Sequence, residues 1–383
     1  MSELYKSPIK LAGGEERFVC PQSLVLNTYL GCDHDCIYCY ARDILEPVKK
    51  WSPVKPADIS IIEKTMKKAY SGNSQDMVSK LIRRRTPFRF ANISDGFLMQ
   101  ELKYKVSYNT LLIMGDYQHP LIINTKGIVV ALDNYIKLLR HMPVVVQMTI
   151  TTENQEKANL LEPNAPDVES RIGAVKKLSD AGITCQVRYS PVYPKLTDNP
   201  EKLFELVSKA GAKDIICEMG RIPVLSKQKA QLNKGLGYDY LAHLRALDYP
   251  MFKFKQQWRV EQPFIFTEYE RFKKIAESYG LNFFVCCEEK PEINDWCNCC
   301  GTHQYKGFEQ GIDWTIQMNG HRIRDDWTSF DEYIKDFDIP YEDGFRKFWD
   351  AGKYELNLYG MEFNKHTKCY RRCKPFKERK LFS

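Results

Sequence analysis

Two spacings of apolar residues alternate along residues 57–285. Runs of about four to eight residues rich in Val, Ile and Phe have the length and make-up of strands. They fall at 88–94, 121–124, 144–151, 183–189, 213–218 and 282–285, with one more at 23–27 upstream. Between them apolar residues recur every three or four positions, as at Ile59, Ile62, Met66 and Tyr70. That period predicts helices over 57–70, 75–85, 100–114, 128–141, 166–181 and 199–210, then parts of 226–247 and 268–278. Gly182 stands where the helix over 166–181 needs a left-handed residue to stop. Strands alternating with helices predict an α/β fold with a mainly parallel sheet and right-handed crossovers, an incomplete (β/α)6 barrel of the TIM type. In such barrels chemistry gathers at the C-terminal ends of the strands.

The flanks lack this alternation. Residues 1–22 show no clear period and form an N-terminal segment before the barrel at 23–285. From 286 to 383 the chain turns to Cys, Trp, Tyr and charge with no sustained period. A C-terminal extension of that kind is expected to pack beside or across the barrel mouth and to be held partly by metal, because ligation replaces a missing core. No apolar run reaches the length of about eighteen residues that a spanning helix requires, and Met1 to Lys6 lacks an apolar signal core. The expectation is a soluble, cytoplasmic protein without a membrane partner.

Thirteen cysteines among 383 residues, an odd number grouped in clusters, argue for metal or catalytic use over disulfides. The net charge of +7 favours an anionic partner without identifying one. The basic runs Arg83-Arg84-Arg85 and Arg371-Arg372-Cys373-Lys374 read as solvated faces, so stable DNA binding is not expected.

The densest chemistry lies just after the first strand, where Cys32, Cys36 and Cys39 are spaced C-x3-C-x2-C with Tyr38 before the third. Three thiolates so spaced can hold three irons of a cubane, leaving the fourth open to a small molecule. A structural zinc site wants four ligands, and only Cys20 upstream and His34 within the loop lie near. A redox pair of Cys36 and Cys39 leaves Cys32 unexplained.

This loop, in the form Gly31-Cys32-x-His34-x-Cys36-x-Tyr38-Cys39-Tyr40-Ala41-Arg42, resembles the radical S-adenosylmethionine (SAM) superfamily. Further landmarks resemble its spore photoproduct lyase-like branch over residues 24–220: Asn92 to Phe97, Thr125-Lys126, Leu161-Glu162-Pro163, Arg171, Ser190 to Pro194 and Thr197-Asp198. The branch usually has Asp-Pro where this chain has Asp95-Gly96, a less rigid turn. The resemblance implies a [4Fe–4S] cluster at Cys32, Cys36 and Cys39, SAM on its open iron, and an electron donor such as flavodoxin or ferredoxin. One-electron reduction then cleaves SAM to a 5′-deoxyadenosyl radical, the cofactor supplying the chemistry and the protein its placement.

Other residues acquire roles from that implication. Tyr38 and Tyr40 would lie on the SAM adenine; Asn92, Ser94 and Asp95 would meet its hydroxyls or amino group; Thr125 and Lys126 its carboxylate; Thr149 and Thr151 its ribose. Arg188 is a candidate clamp for a carboxylate or phosphate. Cys217 and Glu218, ending the sixth strand, are candidate catalytic residues; a thiol there suits hydrogen-atom return, although buried cysteine is commonly plain packing. Glu162 and Arg171 read as a surface ion pair, and Cys185 as core. Cys287, Cys297, Cys300, Cys369 and Cys373 are candidate ligands of a second site, an auxiliary [4Fe–4S] cluster or zinc.

The function expected is lyase chemistry on a modified nucleoside or nucleotide that releases the base, as in queuine lyases. DNA photoproduct repair and peptide modification are the rival reactions, and a metal-binding regulatory module is the rival without turnover. Substrate class is where motifs stop informing, because they mark the radical generator and not the pocket.

Overall fold

The computed structural model describes residues 4–12, 20, 22–48, 51–223, 227–254, 257–286, 300–308, 323, 326–335, 342–352 and 361–372. Its main sheet has eight strands in chain order: β1 (Ile9–Leu11), β2 (Leu24–Leu26), β3 (Phe88–Phe90), β4 (Leu121–Thr125), β5 (Val144–Thr149), β6 (Thr184–Val192), β7 (Asp214–Met219) and β8 (Asn282–Val285). From β2 onward every pairing is parallel, while β1 runs antiparallel to β2. Strands that add in sequence order curl one way, and among the described residues β1 and β8 do not pair, so the barrel stays open.

The sequence reading placed these strands well and missed β1. Its three residues have no period to read, and only their pairing with β2 makes them a strand. The expected helix over 100–114 is two pieces, Glu101–Tyr104 and Val106–Asp116, separated by Lys105 in the left-handed conformation. The last crossover also holds a small three-stranded sheet that periodicity did not show, with Met251–Phe254 and Gln257–Val260 antiparallel in it.

Strand side chains alternate between faces. Leu24, Leu26, Phe88, Phe90, Leu121, Ile123, Val146, Met148 and Val187 belong to the main core, which helices cover on the outer side. The six that matter for the site are α1 (Tyr40–Leu45), α2 (Ile59–Tyr70), α3 (Val106–Asp116), α4 (Gln155–Leu161), α5 (Val168–Asp180) and α6 (Glu201–Lys209), with α7 (Gln262–Ser278) packing beside β8. The inner face is polar, carrying Gln147 on β5, Gln186 and Arg188 on β6, and Asp214 and Glu218 on β7.

The C-terminal extension was expected at the barrel mouth. Its described segment 300–308 instead closes the opposite end. Gln186 donates to the Cys300 carbonyl at 2.6 Å and to Asp214 at 2.6 Å, and Tyr305 also donates to Asp214. Asn282 donates to the same carboxylate at 2.8 Å. Phe308 packs on Ile122 and Val145 near the N-terminal ends of β4 and β5. The physical reason is that an open barrel with a polar interior needs a floor that satisfies Asp214, and this segment supplies one. Cys287, Cys297 and Cys373 lie outside the described residues.

Candidate active site

The chain reaches the cysteine loop through Asn27, whose side-chain oxygen accepts from the backbone N–H groups of Asn92 (2.9 Å) and Ile93 (3.2 Å). That contact ties the ends of β2 and β3 together, and a parallel bridge between Gly31 and Ser94 continues the join. The loop itself is pinned from outside. Ile37 N–H donates to Leu161 (3.0 Å), Asn164 N–H to His34 (3.1 Å), and Gln100 to the Asp33 carboxylate (2.6 Å). Helix Lys227–Leu236 lies over it, with Gly235 where an added Cβ would sit 2.7 Å from Ile37.

Cys36 is buried and Cys32 and Cys39 are half-buried. Burial raises the Cys32 thiol, with Asp95 and then Cys36 and Cys39 adding to the rise. Burial pushes Cys36 up to about 12, where Lys126 opposes the shift and Cys39 adds to it. The three sulfurs are thus mutual neighbours in a place where thiolates need a compensating cation, and metal ligation supplies one. Among the described residues no group of three or more His, Cys, Asp or Glu side chains is set to hold a single metal ion. A cubane takes each thiolate on a different iron, which three neighbouring thiols suit.

Around the thiols the strand ends carry a buried ionic network. Glu162 accepts from Arg171 at 2.6 Å, from Thr151 at 3.2 Å and from Tyr38. The Lys126 ammonium lies 3.9 Å from the same carboxylate and 5.5 Å from the Tyr38 ring centroid. Glu162 and Arg171 are 2 % and 1 % exposed, so the expected surface ion pair is a buried one. The cause is local sequence: Asn154 caps α4 and Asp167 caps α5, so the short turn between them delivers Glu162 under Arg171. Burial opposes the Glu162 charge, but Arg171 and Lys126 hold its carboxyl below the usual range. Burial likewise opposes the Lys126 charge, while Cys36 and Glu162 raise its pKa.

Asp95 is committed to structure. It accepts from Phe97 N–H (2.8 Å), Thr125 hydroxyl (2.6 Å) and Lys126 N–H (2.8 Å), with His34 Nδ1 at 3.7 Å. Thr125 in turn accepts from Gly127 N–H at 2.7 Å. Its neighbour Gly96 has no room for a side chain, since a Cβ would lie 2.5 Å from the Phe90 ring. Packing therefore explains why this chain departs from Asp-Pro here. Ser94 Oγ is buried with no hydrogen-bond partner, a free polar group beside the cysteine loop that fits a SAM amino group or hydroxyl. Tyr40 donates to the Asn92 carbonyl at 2.6 Å.

Of the other expected site residues, Thr149 offers its carbonyl to Arg171 at 3.1 Å. Arg188 lies on the inner face, 3.3 Å from Gln147, 3.4 Å from the Cys286 sulfur and 3.6 Å from Glu218. Glu218 also has Ser190 at 3.3 Å and Arg221 at 3.4 Å, and burial raises its pKa against the arginines. Cys217 is a correction: it sits in the main core beside Tyr189, whose ring packs on Phe204 and Phe272 of the helical layer. Strand alternation turns it away from the inner face that Glu218 occupies, so it does not reach a substrate there. Cys185 is core, as expected. Cys300 is buried at the floor with Gln22 donating to its sulfur at 2.7 Å, and Cys369 lies in a hairpin of Met361–Asn364 with Cys369–Arg372. Sequence reading missed Arg221 and Tyr193, whose ring lies 6.2 Å from that of Tyr38. Only Tyr193's place in the Ser190 to Pro194 landmark signalled it.

The fold is thus an open barrel of parallel strands with three neighbouring thiols at its C-terminal rim. Residues 26–207 match the model of the radical SAM superfamily, so this stretch is a radical SAM domain. A radical SAM domain implies a [4Fe–4S] cluster and SAM as cofactors and marks the domain as enzymatic. An uncharacterized protein of Mycobacterium bovis is 26% identical over 194 residues, 50% of this chain and 56% of that protein. One of Methanocaldococcus jannaschii is 29% identical over 175 residues, 45% of this chain and 62% of that protein. The chain thus spans little more than half the length of the curated relatives it matches. Among solved structures, spore photoproduct lyase complexed with dinucleoside spore photoproduct has a TM-score of 0.52 at 16% identity, over 73% of this chain and 80% of that one. That likeness is one of fold.

Proposed function

We propose that this protein is a radical SAM lyase that breaks a bond in a modified nucleoside or nucleotide and releases the base, a queuine lyase-like reaction. One observation carries the reading: the polar inner face that runs from the cysteine loop to Glu218, Arg188 and Ser190. A heterocyclic base has the N–H and carbonyl groups that such a face can pair.

Bound at Cys32, Cys36 and Cys39, the cluster with SAM supplies a 5′-deoxyadenosyl radical after one-electron reduction. The chain's own residues do the rest. Lys126 offers an ammonium to the SAM carboxylate, and the Glu162–Arg171 pair keeps that lysine charged and in place. Ser94 offers its unpartnered hydroxyl to the cofactor. Helix Lys227–Leu236 over Ile37 and the floor at 300–308 close the site against water from two sides. Glu218, with Arg188 and Arg221 beside it, holds the substrate's N–H groups.

Anaerobically reconstituted protein with dithionite and SAM should yield 5′-deoxyadenosine, and Cys36→Ala should abolish it. Free base should then appear from a nucleoside or nucleotide and not from photodamaged DNA or a peptide. Base release that weakens steeply with salt would favour DNA repair instead, since backbone binding depends on counterion release. A second metal site in the C-terminal extension is part of the same proposal. Iron, sulfide and zinc counts in the triple variant Cys32→Ala, Cys36→Ala, Cys39→Ala decide it, and zero residual metal overturns it.

A further inference from the structure

On β4, Leu121 and Ile123 belong to the main core, so strand alternation turns Ile122 and Asn124 to the inner face. Ile122 packs under Phe308 of the floor. Lys126, two positions beyond Asn124, reaches Glu162 and the Tyr38 ring at the cysteine loop. Asn124 therefore lies between the floor and the place proposed for SAM. In register beside it runs a row of polar side chains: Gln147 on β5, Gln186 on β6 and Asp214 on β7. Those three are fully buried and engaged with one another. Gln186 donates to Asp214 at 2.6 Å and accepts from Gln147 at 2.7 Å, and Arg188 donates to the Gln147 oxygen at 3.3 Å. The Cys300 carbonyl, which only accepts, also takes an N–H of Gln186 and so fixes which way each amide points. Asn124 ends the row differently. It is only half-buried, and its buried Oδ1 has no hydrogen-bond partner. Buried acceptors in folded chains find a donor in the protein, in water or in a bound molecule. Phe308 shuts off the floor side, so a donor reaches Asn124 from the mouth.

We infer that Asn124 is a specificity-determining residue whose amide reads the edge of the substrate's base. The inference rests on the proposed nucleoside reading and adds the feature that the base must carry, an N–H beside an acceptor. Asparagine presents both complements at once, Oδ1 to the N–H and Nδ2 to the acceptor, which is how it pairs with an adenine edge in nucleic acids. A lactam edge, with N–H next to C=O, meets the same amide in the same way. The neighbouring glutamines cannot take this role, because their amides are already bonded within the row. A base on Asn124 sits one strand layer below Lys126, on the lumen side of the cofactor. Selection at such a place is steep, because an analogue without the N–H leaves a buried acceptor empty.

The test measures, by isothermal titration, the binding of four nucleosides to the reconstituted full chain with SAM. Inosine is set against 1-methylinosine, and adenosine against N6,N6-dimethyladenosine; the second member of each pair lacks the N–H of the first. The parent should bind at least one first member about tenfold or more tighter than its methylated partner, and Asn124→Leu should hold the same two within about threefold. Iron and sulfide content equal to the parent's shows that the variant is folded and loaded, and Asn124→Ser repeats the comparison where Asn124→Leu loads poorly. A parent that binds none of the four, or both members of each pair alike, overturns the proposal. So does a preference that survives in both variants, because the methyl group is then rejected elsewhere and the Asn124 acceptor holds only water. None of these readouts needs turnover. Discrimination that the variants lose, with no base released from any nucleoside, sinks the lyase reading and keeps Asn124 as a binding residue; base release with an unaltered preference does the reverse.

Discussion

At the scale of single residues the site is organised by Glu162. Four groups converge on its carboxylate, and the charged one within hydrogen-bond distance, Arg171, is nearly inaccessible. Removing one member of a buried pair costs far more than the pair is worth, because the other charge stays behind. Arg171→Met should therefore lose about 3 kcal/mol of stability in urea unfolding of the metal-free chain, an outcome near zero being the contrary result. Lys126 should also become less able to hold SAM, seen as a raised KM for SAM. From sequence, Glu162-Pro163 and Arg171 looked like an ordinary surface pair. They stand nine positions apart, and nothing in that spacing says that the sheet's mouth closes over both.

At the scale of elements, buried polar links fix where helices meet the sheet. Glu101 is fully buried and accepts from Tyr29 (2.5 Å), Tyr135 (2.7 Å) and the backbone N–H groups of Ser107 (3.0 Å) and Tyr108 (2.8 Å), so it caps α3 and ties it to the cysteine-loop core. His119 does the same for α2. Its Nε2 faces the Thr86 carbonyl at 3.0 Å and must donate, which leaves Nδ1 to accept from Tyr70 at 3.0 Å. Burial lowers its pKa to about 4. Between that value and about 6.5 the unfolded chain binds the extra proton, so stability is present above the unfolded pKa and lost as pH falls. Urea midpoints from pH 7 to pH 4 should fall by the equivalent of up to about 3 kcal/mol from this residue. His119→Gln should start less stable at pH 7 and show a shallower acid slope; an unchanged slope would count against this assignment.

At the scale of the whole molecule, the barrel is open along one edge and closed at its floor by a segment from the far end of the chain. Asp214 joins the two, accepting from Gln186, Asn282 and Tyr305. Asp214→Ala should free the Cys300–Phe308 segment, with proteolytic cleavage there at least about tenfold faster and the cysteine-loop end unaffected. Cleavage at the parent rate would show that Phe308 packing alone holds the floor. Closure from both ends also explains why the inner face can stay polar: its donors and acceptors pair with one another and with the floor instead of with bulk water.

The sequence by itself determined the strand–helix alternation, the open parallel barrel and the three-cysteine loop with its superfamily, because each is written in local period or local spacing. Sheet order followed from chain order for the same reason. Only the tertiary structure decided the short strand β1, the turn of Cys217 away from the lumen, the burial of the Glu162–Arg171 pair and the placing of Cys300 at the floor instead of the mouth. These depend on which face a residue presents and which distant segment covers it. A face follows from register, and cover follows from packing between residues as far apart as Gln22 and Cys300; neither leaves a mark on the local pattern.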